Sequence, residues 1–219
     1  TLALGGNNVL ANTSDVMVSG GTFDIGSYSD TVGAVTLSSG SITGTTGVLT
    51  GASYSVTNSS GNTLISAILA GTGGLTKTGA GALTLSGANT YTGDTTISAG
   101  TLTQTGSLST STNVVMSGSA VWDLQATQSV ATLTMASGNS ITNTAGTSSL
   151  TVSGASTLAN SITTSGTQTY SGAVTLGADT TLSTTNSAVQ FSSGVTGSGK
   201  SLTVNAGSSD ISMNAIGVS

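Results

Sequence analysis

The sequence predicts an all-β chain wound into many short coils, and three observations carry that expectation. Apolar residues arrive in pulses of two or three, as in Leu2-Ala3-Leu4, Leu83-Thr84-Leu85 and Leu150-Thr151-Val152, with Gly, Asn, Asp, Ser or Thr between them. Within such pulses apolar and polar residues alternate, which is the period of a strand whose successive side chains face opposite ways. No proline occurs in the 219 residues. Proline removes a ladder hydrogen bond and is confined to strand edges, so a chain whose strands nearly all have two neighbours has no place for it. Strands this short cannot persist as isolated hairpins. They can when each stacks on its equivalent one coil away, and the predicted architecture is a parallel β-solenoid.

Composition agrees. Only 4% of residues are charged, against roughly 25% in ordinary globular domains. Leu, Ile, Val and Phe supply 47 of 219 residues. That is close to the roughly 20% below which disorder is expected, but disorder also needs a high net charge, and here it is −5. Thr, Ser, Val and Asn stack on themselves in register, whereas like charges directly opposite repel. Two basic residues in the whole chain exclude a nucleic-acid partner, because phosphate affinity comes from Lys and Arg. No apolar run of about 18 residues exists, so no helix of this segment spans a membrane. The absence of cysteine leaves no disulfide and is compatible with a secreted bacterial chain. Thr1 begins in mid-pattern without a signal peptide, so the chain is expected to be a fragment of a longer surface protein.

Taken in order, residues 1–30 hold pulses at Leu2–Leu4, Val9-Leu10, Val16–Val18 and Phe23–Ile25, about seven residues apart, with turn chemistry between them. Three pulses make a coil of about 20–24 residues. Residues 31–70 continue with Val35–Leu37, Ile42, Val48-Leu49 and Tyr54–Val56. The run Leu64–Ala70 lacks Gly and could be a short helix, but Gly61 and Gly71 bracket it and favour a strand. Residues 103–170 repeat the rhythm, and Val35–Thr43 is echoed by Leu133–Thr142 with one inserted residue. Beyond 170, Tyr170–Ala178 echoes Tyr91–Ala99, and Ile211–Met213 is the last pulse before Ser219. No composition shift marks a linker, so residues 1–219 read as one solenoid segment. Roughly ten coils at about 4.8 Å each make a rod about 45–50 Å long.

One stretch is sharper than the rest. It runs Gly73-Gly74-Leu75-Thr76-Lys77-Thr78-Gly79-Ala80-Gly81, then Leu83-Thr84-Leu85-Ser86-Gly87-Ala88-Asn89-Thr90-Tyr91-Thr92-Gly93, then Thr95-Thr96-Ile97 and Ala99-Gly100-Thr101-Leu102. Gly71–Leu102 resembles the passenger-associated transport repeat, or autotransporter-associated β-strand repeat, of bacterial autotransporter passengers. The resemblance implies a right-handed parallel β-helix outside a Gram-negative cell. It also implies a role for residues 71–102 in passenger folding and export, and it implies no activity.

The residues able to carry chemistry are few. Seven aspartates, Asp15, Asp24, Asp30, Asp94, Asp123, Asp179 and Asp210, are the only acids. Glycoside hydrolysis needs two carboxylates about 5–10 Å apart, and these are scattered. Asp15, Asp24 and Asp30 fall within one coil, yet no calcium-loop pattern is present, so they read as exposed turn residues. Gly73-Gly74 and Gly79-Ala80-Gly81 are turns, not a phosphate loop, and Lys77 belongs to the turn pattern. Trp122 is expected in the core or capping it, and Tyr91 and Tyr170 are structural. Thr101/Thr103, Thr110/Thr112 and Thr167/Thr169 would face outward in pairs, but their spacing is too irregular for a regular ladder. No catalytic, cofactor-binding or metal-ligating residue is expected, and no cofactor.

The sequence therefore predicts a non-catalytic rod, a stiff stalk and display surface of a secreted or surface-anchored bacterial adhesin, anchored through a segment outside this chain. Its expected partners are flanking coils of the same parent chain, further copies end to end or side by side, and glycans or proteins of a host or neighbouring cell. Two other readings stand beside it: an extracellular fibre subunit stacking through the open edges at Thr1–Leu10 and Ile211–Ser219, and a polysaccharide-degrading β-helix enzyme.

Overall fold

A computed structural model describes residues 1–213. They form twenty-three β-strands in two sheets, one of 18 strands and one of 5, and every ladder pairs parallel strands. No helix occurs among the described residues. Leu64–Ala70 is accordingly strand, as its glycine brackets suggest, but it is two strands, Asn62–Ile65 and Ile68–Ala70, with Ser66 and Ala67 turning the corner between them.

The chain coils around three faces. On face I, successive rungs begin at Val16, Val35, Tyr54, Leu75, Thr95, Val114, Leu133, Ser156, Val174 and Val195. Face II starts at Leu2–Ala3 and ends at Leu202–Asn205, and eleven strands stack along it. Face III carries Asp30, Leu49 and Leu69 in the early coils and Gln128, Leu150, Gln168, Val189 and Ile211 in the late ones. Between them the only ladder pairing among the described residues is a single bridge, Ala88 to Ser107. The fold is thus a parallel β-solenoid of about eleven coils, consistent with a right-handed β-helix, and one coil longer than the spacing suggests. Ten steps of about 4.8 Å place its two end rungs about 48 Å apart.

Residues one coil apart share an environment, so the core is a set of vertical stacks. Leu83, Leu102, Trp122, Ile141, Ile162 and Leu182 form one on face II, each fully buried. Each aliphatic side chain so buried contributes about 1.5–3 kcal/mol. The Val35–Thr43 and Leu133–Thr142 echo is a real structural equivalence: Val35 and Leu133 open face I rungs, and Ile42 and Ile141 sit on face II.

Some pulses that read as separate are continuous strands. Val16–Asp24 and Asp30–Thr43 run across a corner without breaking. The bend is absorbed by register shifts between Val18 and Thr22 and by Gly20, Gly21 and Gly40. Val9-Leu10, by contrast, forms no strand.

Candidate functional site

Residues 71–102 lie in mid-solenoid and fill about one and a half coils. Leu75–Lys77 is a face I strand, Ala82–Leu85 face II, Thr95–Ile97 face I again and Thr101–Gln104 face II. The glycines mark the corners, where backbones of adjacent coils press together. A Cβ on Gly79 would lie 1.9 Å from the Asn58 carbonyl oxygen. One on Gly100 would lie 2.3 Å from that of Gly81, and Gly100 also has φ +67°, which L side chains rarely adopt. The sequence spacing of the repeat is therefore a packing rule.

The polar residues of the repeat turn inward. Lys77 ends a strand with its side chain fully buried between Val56 and Ile97, not in a turn as the sequence suggests. Its position two residues after Leu75 fixes this, since i and i+2 share a face. Its Nζ donates to the Gly79 carbonyl at 2.6 Å and to Asn58 Oδ1 at 3.5 Å. Burial lowers its pKa. Asn58 donates in turn to Gly61 and Ala82 carbonyls. At the next corner Asn89 donates to the Gly87 and Ser107 carbonyls and accepts the Leu69 N–H, so its amide replaces a missing rung of face III. At the third, the Tyr91 hydroxyl bonds Thr95 Oγ1 at 2.7 Å, and Thr112 donates to the Tyr91 carbonyl. Burial raises the Tyr91 pKa, as it does that of Tyr170. Each corner is thus held by buried polar side chains, at least one of which bonds to the neighbouring coil.

The same device recurs elsewhere, and it accounts for two of the seven aspartates, Asp30 and Asp123. Asp30 is buried, correcting its reading as an exposed turn residue: its Oδ2 accepts the N–H groups of Val9 and Leu10. Those groups belong to the pulse that failed to become a strand. Gln128 accepts from Leu108 and Asn139 from Ala120 in the same way. Asp123 is buried and accepts from Thr144 N, Thr144 Oγ1 and Gln125 Nε2. Asp24 does serve a turn, accepting from Gly26, whereas exposed Asp15 accepts from Ala34 of the next coil. Exposed Asp94 accepts from Asn113, and exposed Asp179 accepts from Ser201, whose N–H lowers its pKa. Asp210 and Lys200 are exposed. Among the described residues no group of three or more His, Cys, Asp or Glu could hold a metal ion, and no helix is long and apolar enough to cross a membrane.

Trp122 is fully buried in the face II stack. Tyr54, Tyr91 and Tyr170 are buried too, with Tyr170 stacked on Phe191 at 5.4 Å. The Tyr54 hydroxyl accepts the Gly51 N–H at 2.6 Å and sits 2.6 Å from the Leu49 carbonyl, so it braces a strand from inside.

The outward positions are more regular than the sequence spacing suggests. On face I, Thr36, Ser55, Thr76, Thr96, Val115, Thr134, Thr157, Thr175 and Thr196 follow rung by rung in one column. On face II, Thr84, Thr103, Asp123, Thr142, Thr163, Ser183 and Asn205 form another. Coils of unequal length hide these columns in the sequence. Thr101/Thr103 and Thr167/Thr169 do flank a buried residue, but Thr112 is itself buried at a corner.

The inward-clamped repeat and its parallel ladder define a β-solenoid structural module. In agreement, the passenger-associated-transport-repeat family matches residues 75–103, which supports classification as an autotransporter passenger segment of extracellular or cell-surface origin. Comparison with curated proteins and with solved structures gave no match. The repeat is structural, and its polar groups are spent on corners.

Proposed function

We propose that this module is a stiff stalk and display surface of a bacterial adhesin, secreted or held at the outer membrane through a segment outside this chain. One observation carries the reading: the repeat commits Lys77, Asn89, Tyr91 and Thr95 to the interior, leaving outer faces lined by Thr and Ser without charge clusters. Such a surface offers hydroxyls and methyls to glycans or proteins of a host or neighbouring cell. The same corners suit residues 71–102 to assist folding during export, since each coil can add to the one already formed.

Two in-register deletions in a surface-displayed passenger test it. Removing residues 75–94 takes out one coil of the repeat, and removing 114–132 takes out one ordinary coil. The first is expected to reduce the amount of passenger reaching the surface several-fold while the second leaves it within error. Equal display of both would refute the export role. Adhesion unaffected by Thr→Lys substitutions along every outward column would refute the display role.

A further inference from the structure

The outer side of face I carries a second column beside the one described above. After its strands the ladder runs on for one residue: the N–H groups of Thr57, Thr78, Ser98 and Ser117 each donate to a carbonyl of the coil before. Residues two apart share a side of a strand, so these four stand outward next to the first column. From Thr36/Ser38 to Thr134/Ala136, six consecutive rungs present such a pair, and the residue between its members is buried at every rung. The pairs Ser55/Thr57, Thr76/Thr78 and Thr96/Ser98 lie in the middle of the array. At about 4.8 Å per rung and about 3.3 Å per residue, the array is about 24 Å long and about 6.5 Å wide.

Three properties define what this array fits. The hydroxyls of its middle three pairs bond to nothing among the described residues, so they are free toward solvent. No member of the array is charged or aromatic. Lys77, between Thr76 and Thr78, is buried, and Asp94 stands at the array's edge with its carboxylate bonded to Asn113. The geometry is also stiff: β-branched side chains have few rotamers, and the register runs without a shift from Thr36 to Thr134. Recognition of a charged or aromatic ligand needs groups that are missing here. What the array matches is a flat hydrogen-bonding lattice of the same repeat. Ice is such a lattice, with oxygen atoms recurring along its a axis at slightly less than one strand spacing. Face II does not qualify, because Asp123 interrupts its outer column and draws the Thr142 and Thr144 hydroxyls to its carboxylate.

We propose that face I, between Thr36 and Thr134, binds ice. The threonine methyls order the water held between rungs and the hydroxyls anchor it, so the layer on the array continues the crystal. This activity is separate from the display role: either could hold without the other.

Partition of the full chain into slowly growing ice, together with the gap between melting and freezing points in the same samples, tests the proposal. Wild type should be enriched in the ice fraction and should hold the freezing point below the melting point. Thr76→Lys and Thr96→Lys each place a long charged side chain in the middle of the array, and each should lower both readouts several-fold. Thr181→Lys, at an outward position of face II, should behave as wild type. Strand circular dichroism should be the same in all four proteins, which separates loss of binding from loss of fold. A wild type left in the liquid, as an inert protein is, overturns the proposal. So do face I variants that bind as wild type does, or an equal loss in Thr181→Lys. Retention on microcrystalline cellulose without enrichment in ice would also overturn it, and would assign the array to a polysaccharide.

Discussion

At the scale of single residues, the interior carries polar groups that differ sharply in how well they are matched. Gln104 is fully buried between Leu85 and Leu124 of the adjacent coils, and neither its Oε1 nor its Nε2 has a hydrogen-bond partner in the protein. A buried amide left unpaired costs about 1–3 kcal/mol. Gln104→Leu, which extends a leucine stack, is expected to raise stability by about 1–2 kcal/mol, measured by urea unfolding; a loss of stability would contradict it. Lys77 is the opposite case, buried but bonded. Lys77→Ala leaves Asn58 Oδ1 without its donor and opens a cavity, and should cost about 2–4 kcal/mol. Lys77→Met keeps the stem and removes the charge, and should cost far less. Burial holds the folded pKa of Lys77 below its ordinary 10.5. Between those two values the unfolded chain binds more protons than the folded one, so stability rises with pH up to 10.5 and is flat below the lowered value. The rise should vanish in Lys77→Met; a rise of equal size in both proteins would assign it to another group.

At the scale of the element, the repeating unit is the coil and not the strand. Removing residues 114–132 joins Asn113 to Leu133, which then takes the place of Val114 on face I, while Ile141 takes that of Trp122 on face II. The shortened protein should fold, with strand circular dichroism reduced in proportion to one coil. Deleting Val115 alone turns the remainder of its strand inside out, placing Met116 outward, because side chains alternate with period two. Loss of one residue should therefore lower Tm more than loss of a whole coil, and a reversed order of melting temperatures would count against the coil as unit. This geometry also explains what was legible beforehand. Strand type, parallel stacking and the repeat could be read because they rest on local alternation and glycine spacing. The threonine columns could not, because coils vary from 18 to 23 residues and only the ladder brings Thr134 and Thr157 into line. Nor could the burial of Asp30 and Lys77 be read, since each depends on which neighbouring coil leaves a donor or carbonyl open. Lys77 alone gave a usable signal, lying two residues from a core leucine.

At the scale of the whole molecule, the solenoid is quasi-one-dimensional: each coil touches only those on either side, and stability is a sum of coil and interface terms. The described ladder has no hydrogen-bonded rung linking distant coils, so nothing forces the ends to open with the middle. Local opening should cost little at Leu2–Ala3, whose strand pairs on one side, and more with each rung inward. Hydrogen exchange is the measurement. Protection should climb from the leading rung to a plateau over the coils between Leu83 and Val152, where all three corners are clamped and the inward stacks are fully buried. Mutations then separate by position. Leu102→Ala removes a side chain from the middle of the face II stack at a cost of about 2–4 kcal/mol, and should lower the plateau for coils on both sides. Leu4→Ala, at the leading end, should lower protection only in the first coils and leave the plateau unchanged. If both substitutions lowered protection equally everywhere, the chain would unfold as a single cooperative unit, and its coils could not add one at a time as the export reading requires.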